Sequence, residues 1–169
     1  MANNWKERYG SLLAKEPENK GLMWHERMEL AADKINSLDE KNVYDFGAGE
    51  CRLSRLIVDK EYFAIDTENF SIYDDIEISC MDLVEEFPQD IPNNSVAVCL
   101  GFIDHIMYQK EFLFFMDNLS ENFDKAIFSC QNSVSAKVVE YFSKYFEKVE
   151  FIGETDRFPG QQSVYMAEK

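Results

Sequence analysis

The chain has 169 residues, with 32 acidic against 17 basic side chains, a formal net charge of −15 at pH 7, 46% hydrophobic residues and 29% charged. Such a chain is globular and holds one domain with a sizeable core. Its lysines and arginines are scattered singly among acids, with no basic stripe to follow a nucleic-acid backbone or an anionic bilayer, so nucleic-acid and membrane partners are set aside.

No apolar run approaches the roughly 20 residues of a membrane helix. The opening Met1–Arg8 has no apolar signal core behind it, and a cytoplasmic location is the expectation. Cys51, Cys80, Cys99 and Cys130 form no close pair, and His25 and His105 are the two histidines, so no metal site is expected. Reduced, buried core thiols are the reading for the cysteines in strand-like runs. Nothing in the pattern fixes the oligomeric state.

Residues 5 to 38 read as a helical N-terminal cap, broken near Glu16–Gly21, with Leu22, Met23, Met28, Leu30, Ala31 and Ile35 on its stripe. Residues 41 to 169 then alternate, making the whole of 1–169 a single domain. Strands are expected at Val43–Phe46, Tyr62–Ile65, Ile76–Cys80, Val96–Leu100, Ala126–Cys130, Lys148–Ile152 and Ser163–Met166. Helices are expected at Arg52–Val58, Lys110–Phe123 and Ser135–Phe146. This order predicts an α/β, Rossmann-like doubly wound sheet of seven strands, mostly parallel, with helices on both faces. Gly153–Gln162 is too short for a helical crossover, so the final pair should be antiparallel.

A sheet of this kind takes its ligand outside the carboxyl ends of its strands. The residues placed there are Gly47–Gly49, Asp66, Asp82, Gly101–His105 and Gln131–Asn132. Gly47 and Gly49 stand where the backbone must bend and a ligand can come close. Asp66 ends the second strand 19 residues after Gly47, near the spacing of a carboxylate that grips a ribose. Both features point to a nucleoside-containing cofactor. The third place of a dinucleotide G-x-G-x-x-G is Arg52, which counts against NAD.

Asp45-Phe46-Gly47-Ala48-Gly49 resembles the first motif of the class I S-adenosylmethionine-dependent methyltransferases, in particular small ones of bacterial polysaccharide and cell-surface biosynthesis. Asp66, then Cys80-Met81-Asp82-Leu83, then Ser95–Ile106 with its Asp104-His105-Ile106 ending, resemble the later motifs. The resemblance covers about Lys41 to Lys169. It departs at Cys51, where the family often has a further glycine.

The resemblance implies S-adenosyl-L-methionine as cofactor. Gly47, Ala48 and Gly49 would pass beside its amino-acid end, Asp45 would anchor the ammonium, and Asp66 would accept both ribose hydroxyls. Asp82 would accept from the adenine amino group, Leu83 would pack on the ring, and Gly101 and Phe102 would complete the cofactor set. Asp45 as a helix-end partner and Asp82 as a helix N-cap are the alternatives. The implied reaction is methyl transfer to a small-molecule or carbohydrate hydroxyl, with His105 as proton acceptor because an imidazole titrates nearest neutrality. Asp104, Tyr108 and His25 are the substitutes for His105, and Trp24 with His25 are candidates to face the acceptor. The alternative to an enzyme is a non-catalytic cofactor-binding or protein-interaction module of the same fold.

Overall fold

Residues 20–110, 112–155 and 161–169 are described in the computed structural model, the first six of them as backbone. The expected helix before Glu16 and the residue Trp5 lie outside the described residues, as do the side chains of Trp24 and His25. Helix α1 spans Lys20–Asn36 and buries Met28, Ala31, Ala32 and Ile35 along one stripe. Strands β1 (Asn42–Phe46), β2 (Glu61–Asp66), β3 (Ile78–Cys80), β4 (Ser95–Leu100), β5 (Lys125–Gln131), β6 (Lys148–Glu154) and β7 (Gln162–Glu168) form one sheet. Their order is β3-β2-β1-β4-β5-β7-β6.

The first five strands are parallel, and β7 pairs antiparallel with both β5 and β6. β1 is internal and wholly buried, as its unbroken Val-Tyr-Asp-Phe run requires of a strand covered on both faces. The order in which successive strands are added reverses between β1 and β4, so a crevice opens outside their carboxyl ends.

The two faces have separate cores. On one, α1 covers Val43, Val96, Val98, Leu100, Ile127, Val164 and Met166. On the other, helices α3 (Phe112–Asn122) and α4 (Ser135–Phe142) pack over an aromatic core. There Phe46 meets Phe115 and Phe123 edge-on at 5.7 Å, and Phe128 stacks on Phe142 at 3.7 Å between centroids.

Three expectations change. The helix expected over Arg52–Val58 is only a 3-10 turn, Arg52–Arg55. Cys51 precedes it in the left-handed region at φ 59°, and the Asn36 side chain stops it by donating to Leu56 O and accepting from Val58 N. A four-residue helix, α2 (Ile103–Ile106), follows β4 where none was expected. Cys51, Cys99 and Cys130 are buried free thiols, but Cys80 is exposed, because β3 is a short edge strand whose last two residues face solvent.

Candidate functional site

At the end of β1 the chain turns through two glycines with positive φ, Gly47 at 74° and Gly49 at 53°. Gly47 and Ala48 donate their N–H groups to Ile65 O at 2.9 and 3.1 Å, which fastens the turn to the end of β2. A Cβ on Gly47 would lie 2.8 Å from the Phe102 ring. Its glycine therefore serves both the turn and the close passage of Phe102, which itself sits edge-on to Phe115 at 5.2 Å. Cys51 takes the left-handed conformation that a glycine adopts at lower cost, roughly 1–2 kcal/mol. Its buried thiol packs beside Ala48, Ala64 and Ile78, and burial pushes its pKa up to about 11.

Asp66 closes the turn from the other side. Its Oδ2 accepts from Gly49 N at 2.9 Å, and its Oδ1 from Thr67 N at 2.7 Å. Burial raises its pKa, against the pull of these backbone donors. Met81 N donates to Asp66 O at 2.8 Å, which brings the loop after β3 alongside. In that loop Asp82 is exposed, with Oδ1 accepting from Val84 N and its carbonyl from Glu85 and Glu86 N, so it caps a turn. Leu83 lies inside the aromatic core.

Asp45 is 4% exposed in the middle of β1. The Tyr62 hydroxyl donates to it. Burial pushes Asp45 up to about 7, the Tyr62 bond and the Arg27 charge pull it down, and the Asp66 charge adds to the rise. Tyr62 in turn is raised well above its ordinary range by burial and by Asp45.

The end of β4 carries a second polar group. Gly101, at φ 70°, donates its N–H to Ser129 Oγ at 2.8 Å. Ser129 Oγ donates to Gln162 Oε1 at 3.0 Å, and Arg27 of α1 donates to the same oxygen at 2.6 Å. A Cβ on Gly101 would sit 2.6 Å from an Arg27 guanidinium nitrogen. Asp104 accepts from Gln131 N at 3.1 Å, and burial raises its pKa while Arg27 lowers it. His105 is exposed on α2, its N–H donating to Phe102 O at 3.0 Å, and Tyr108 is 67% exposed one turn on.

The structure thus ties Gly49 to Asp66 and fastens Gly47 and Ala48 to the end of β2, with Asp45 bonded to Tyr62 on β1 just before the turn and Gly101, Phe102, Asp104 and His105 on the neighbouring strand end. Asp82 stands at the margin, and Leu83 is withdrawn into the core. Sequence reasoning missed Tyr62, Arg27, Ser129 and Gln162. Arg27 was findable, since it falls on the same helical stripe as Met28, Ala31 and Ile35. A cavity of about 240 Å³ between β2 and β3, lined by Tyr62, Phe63, Ala64, Asp75, Ile76, Glu77 and Ser79, contains none of the predicted residues. Among the described residues no group of three or more His, Cys, Asp or Glu side chains could hold a metal, and no helix is long and apolar enough to cross a membrane.

These acceptors fit a nucleoside cofactor with an amino-acid end. A buried carboxylate near neutrality suits an ammonium, and the carboxylate tied to the glycine turn can accept from a vicinal diol.

One nearly full-length match among solved structures is an S-adenosylmethionine-dependent methyltransferase from Clostridium acetobutylicum. It has TM-score 0.65 and 10% identity, with 98% of this chain and 99% of that one covered. This is the fold of the class I methyltransferases. The bifunctional kinase-methyltransferase WbdD is similar at TM-score 0.64 and 16% identity, covering 91% of this chain and 42% of its own, so this chain spans less than half of it. The N-terminal domain of EvdMO1, crystallised in the presence of SAH and D-fucose, is similar at TM-score 0.61 and 9% identity, covering 85% and 81%. No family model and no curated protein matches the sequence.

Proposed function

We propose that this protein binds S-adenosyl-L-methionine and transfers its methyl group to a hydroxyl of a small-molecule or carbohydrate acceptor. The observation that carries the reading is the Gly49 N–H to Asp66 bond, which ties the glycine turn after β1 to the acid ending β2 at the crevice. Asp66 is the residue for the ribose hydroxyls, Asp45 for the ammonium, and Gly47–Gly49 for the close approach of the amino-acid end. Asp82 remains the residue for the adenine amino group, its exposed carboxylate having one oxygen engaged by Val84 N. The cofactor supplies a sulfonium-activated methyl group. The protein's task is to hold the acceptor oxygen in line with that carbon and to take up its proton.

His105 is assigned the proton, because α2 presents it to solvent at the carboxyl edge of β4, beside the Gly101–Phe102 turn. The acidic chain favours a small or neutral acceptor over a nucleic acid, and the similar EvdMO1 domain, crystallised in the presence of D-fucose, supports a sugar hydroxyl. Incubation with methyl-labelled S-adenosylmethionine and a panel of deoxysugars, sugar nucleotides and nucleic acids tests this reading. Label should enter a sugar hydroxyl. Label in nucleic acid alone would overturn the acceptor class.

A further inference from the structure

We propose that Tyr62 is a positioning residue for the cofactor: its hydroxyl, donated from β2 to the Asp45 carboxylate on β1, holds that buried acid as an anion and leaves its second oxygen for the ammonium of the amino-acid end. This rests on the cofactor reading above. Asp45 stands in apolar company. Its partners across the sheet are Ala64 on β2 and Val98 on β4, and it is 4% exposed. A carboxylate so placed takes up a proton unless donors replace its lost water. Among the described residues one side-chain donor reaches it, the Tyr62 hydroxyl, and that bond occupies Oδ2. Among the same residues Oδ1 accepts no bond, and it is not one of the side-chain atoms shut off from the surface without a partner, so it stays open to a ligand.

The strand register explains why a tyrosine at this place can be the donor. Tyr62 lies opposite Val43, one same-face step before Asp45, and the residue opposite Asp45 is the small Ala64. The ring can therefore lean along β2 past Ala64 to the carboxylate. It packs against the core under α1 and against the small cluster of Ala48, Cys51, Ala64 and Ile78 at the glycine turn, which fixes its direction. Phenylalanine would keep that packing and lose only the donor. Among the described residues the other charged groups acting on Asp45 are Asp66 at the end of β2, which favours its protonation, and Arg27 of α1, which opposes it. Burial and the Asp45 charge raise the thiols of Cys51 in the turn and Cys99 on β4, so both stay neutral. Tyr62 itself is held well above its ordinary range and remains a donor. A phenylalanine variant shares every one of these groups except the hydroxyl.

Calorimetric titration of the wild type and Tyr62→Phe with S-adenosylhomocysteine at pH 7 and pH 9 tests this, with 5′-methylthioadenosine, which has no ammonium, as the second ligand. Losing one hydrogen bond to a charged group should displace the Asp45 titration upward by about 1–2 pH units. Tyr62→Phe should then bind S-adenosylhomocysteine about 5–50-fold more weakly than the wild type at pH 7, and within about twofold of it at pH 9. 5′-Methylthioadenosine should bind both proteins alike at both pH values, which shows the site to be folded. In an Asp45→Asn chain the same replacement should give no pH-dependent difference. A loss equal at both pH values, or none at pH 7, would make Tyr62 a packing residue and overturn the inference, as would a pH-dependent loss that persists in Asp45→Asn. A wild type that binds neither nucleoside overturns the cofactor reading itself, and the inference with it.

Discussion

Replacing Asp45 by asparagine isolates the cost of the charge buried in β1. Burial holds the Asp45 carboxyl up at about 7, whereas in the unfolded chain it titrates near 3.8. Between those values the folded chain binds more protons than the unfolded one, so stability falls as pH rises from about 4 to about 7 and is flat above. A shift of roughly three units at about 1.4 kcal/mol each amounts to about 4 kcal/mol in full. Of this, about 2–3 kcal/mol is lost between pH 5 and pH 8. Asparagine carries no charge, and its side-chain oxygen still accepts from the Tyr62 hydroxyl. The melting temperature of Asp45→Asn relative to wild type should therefore rise by about 5–10 °C on going from pH 5 to pH 8, at 2–4 °C per kcal/mol for a domain of this size. Calorimetric melting without nucleoside at the two pH values measures it. A difference that is the same at both would refute the idea that Asp45 changes ionisation near neutrality. The same variant should bind S-adenosylmethionine more weakly at pH 8, because the ammonium loses its anion.

Three further outcomes follow from the site. Gly47→Ala should cost at least about 1–2 kcal/mol in left-handed backbone strain, with more from displacing Phe102, and chemical denaturation should show it. Asp66→Ala frees Gly49 and removes the diol acceptor, so titration should find cofactor affinity lower by a factor of about ten or more, each charge-assisted bond contributing about 1.5–3 kcal/mol. His105→Ala should reduce kcat by about 10²–10⁴-fold with cofactor affinity nearly intact; parallel loss of both in steady-state and binding assays would make His105 structural.

The sheet was legible because its strands are short apolar runs bounded by turn residues, and because the connection from β6 to β7 is too short to cross over. The glycine turn and Asp66 were legible from their spacing. What escaped notice depends on tertiary placement. The segment after Cys51 has helical composition, but Asn36, far away in sequence, takes its last carbonyl and ends it. Leu83 has an apolar side chain that serves either a ligand ring or the core, and only the fold places it in the same buried cluster as Phe46 and Phe87. Ser129 and Gln162 are ordinary strand residues in sequence, and only the antiparallel pairing of β5 with β7 brings their side chains onto one oxygen-to-nitrogen chain with Gly101 and Arg27. Cys51 departs from the glycine of the resembling motif, yet its φ of 59° keeps the backbone course that glycine would take.

Calorimetric titration of the wild-type chain with S-adenosylmethionine, S-adenosylhomocysteine and NAD tests the cofactor assignment most directly. The arrangement of Asp45, Gly47–Gly49 and Asp66 predicts binding of both sulfur nucleosides at micromolar Kd, roughly −8 kcal/mol, and none of NAD. Binding of NAD, or of none of the three, would contradict it.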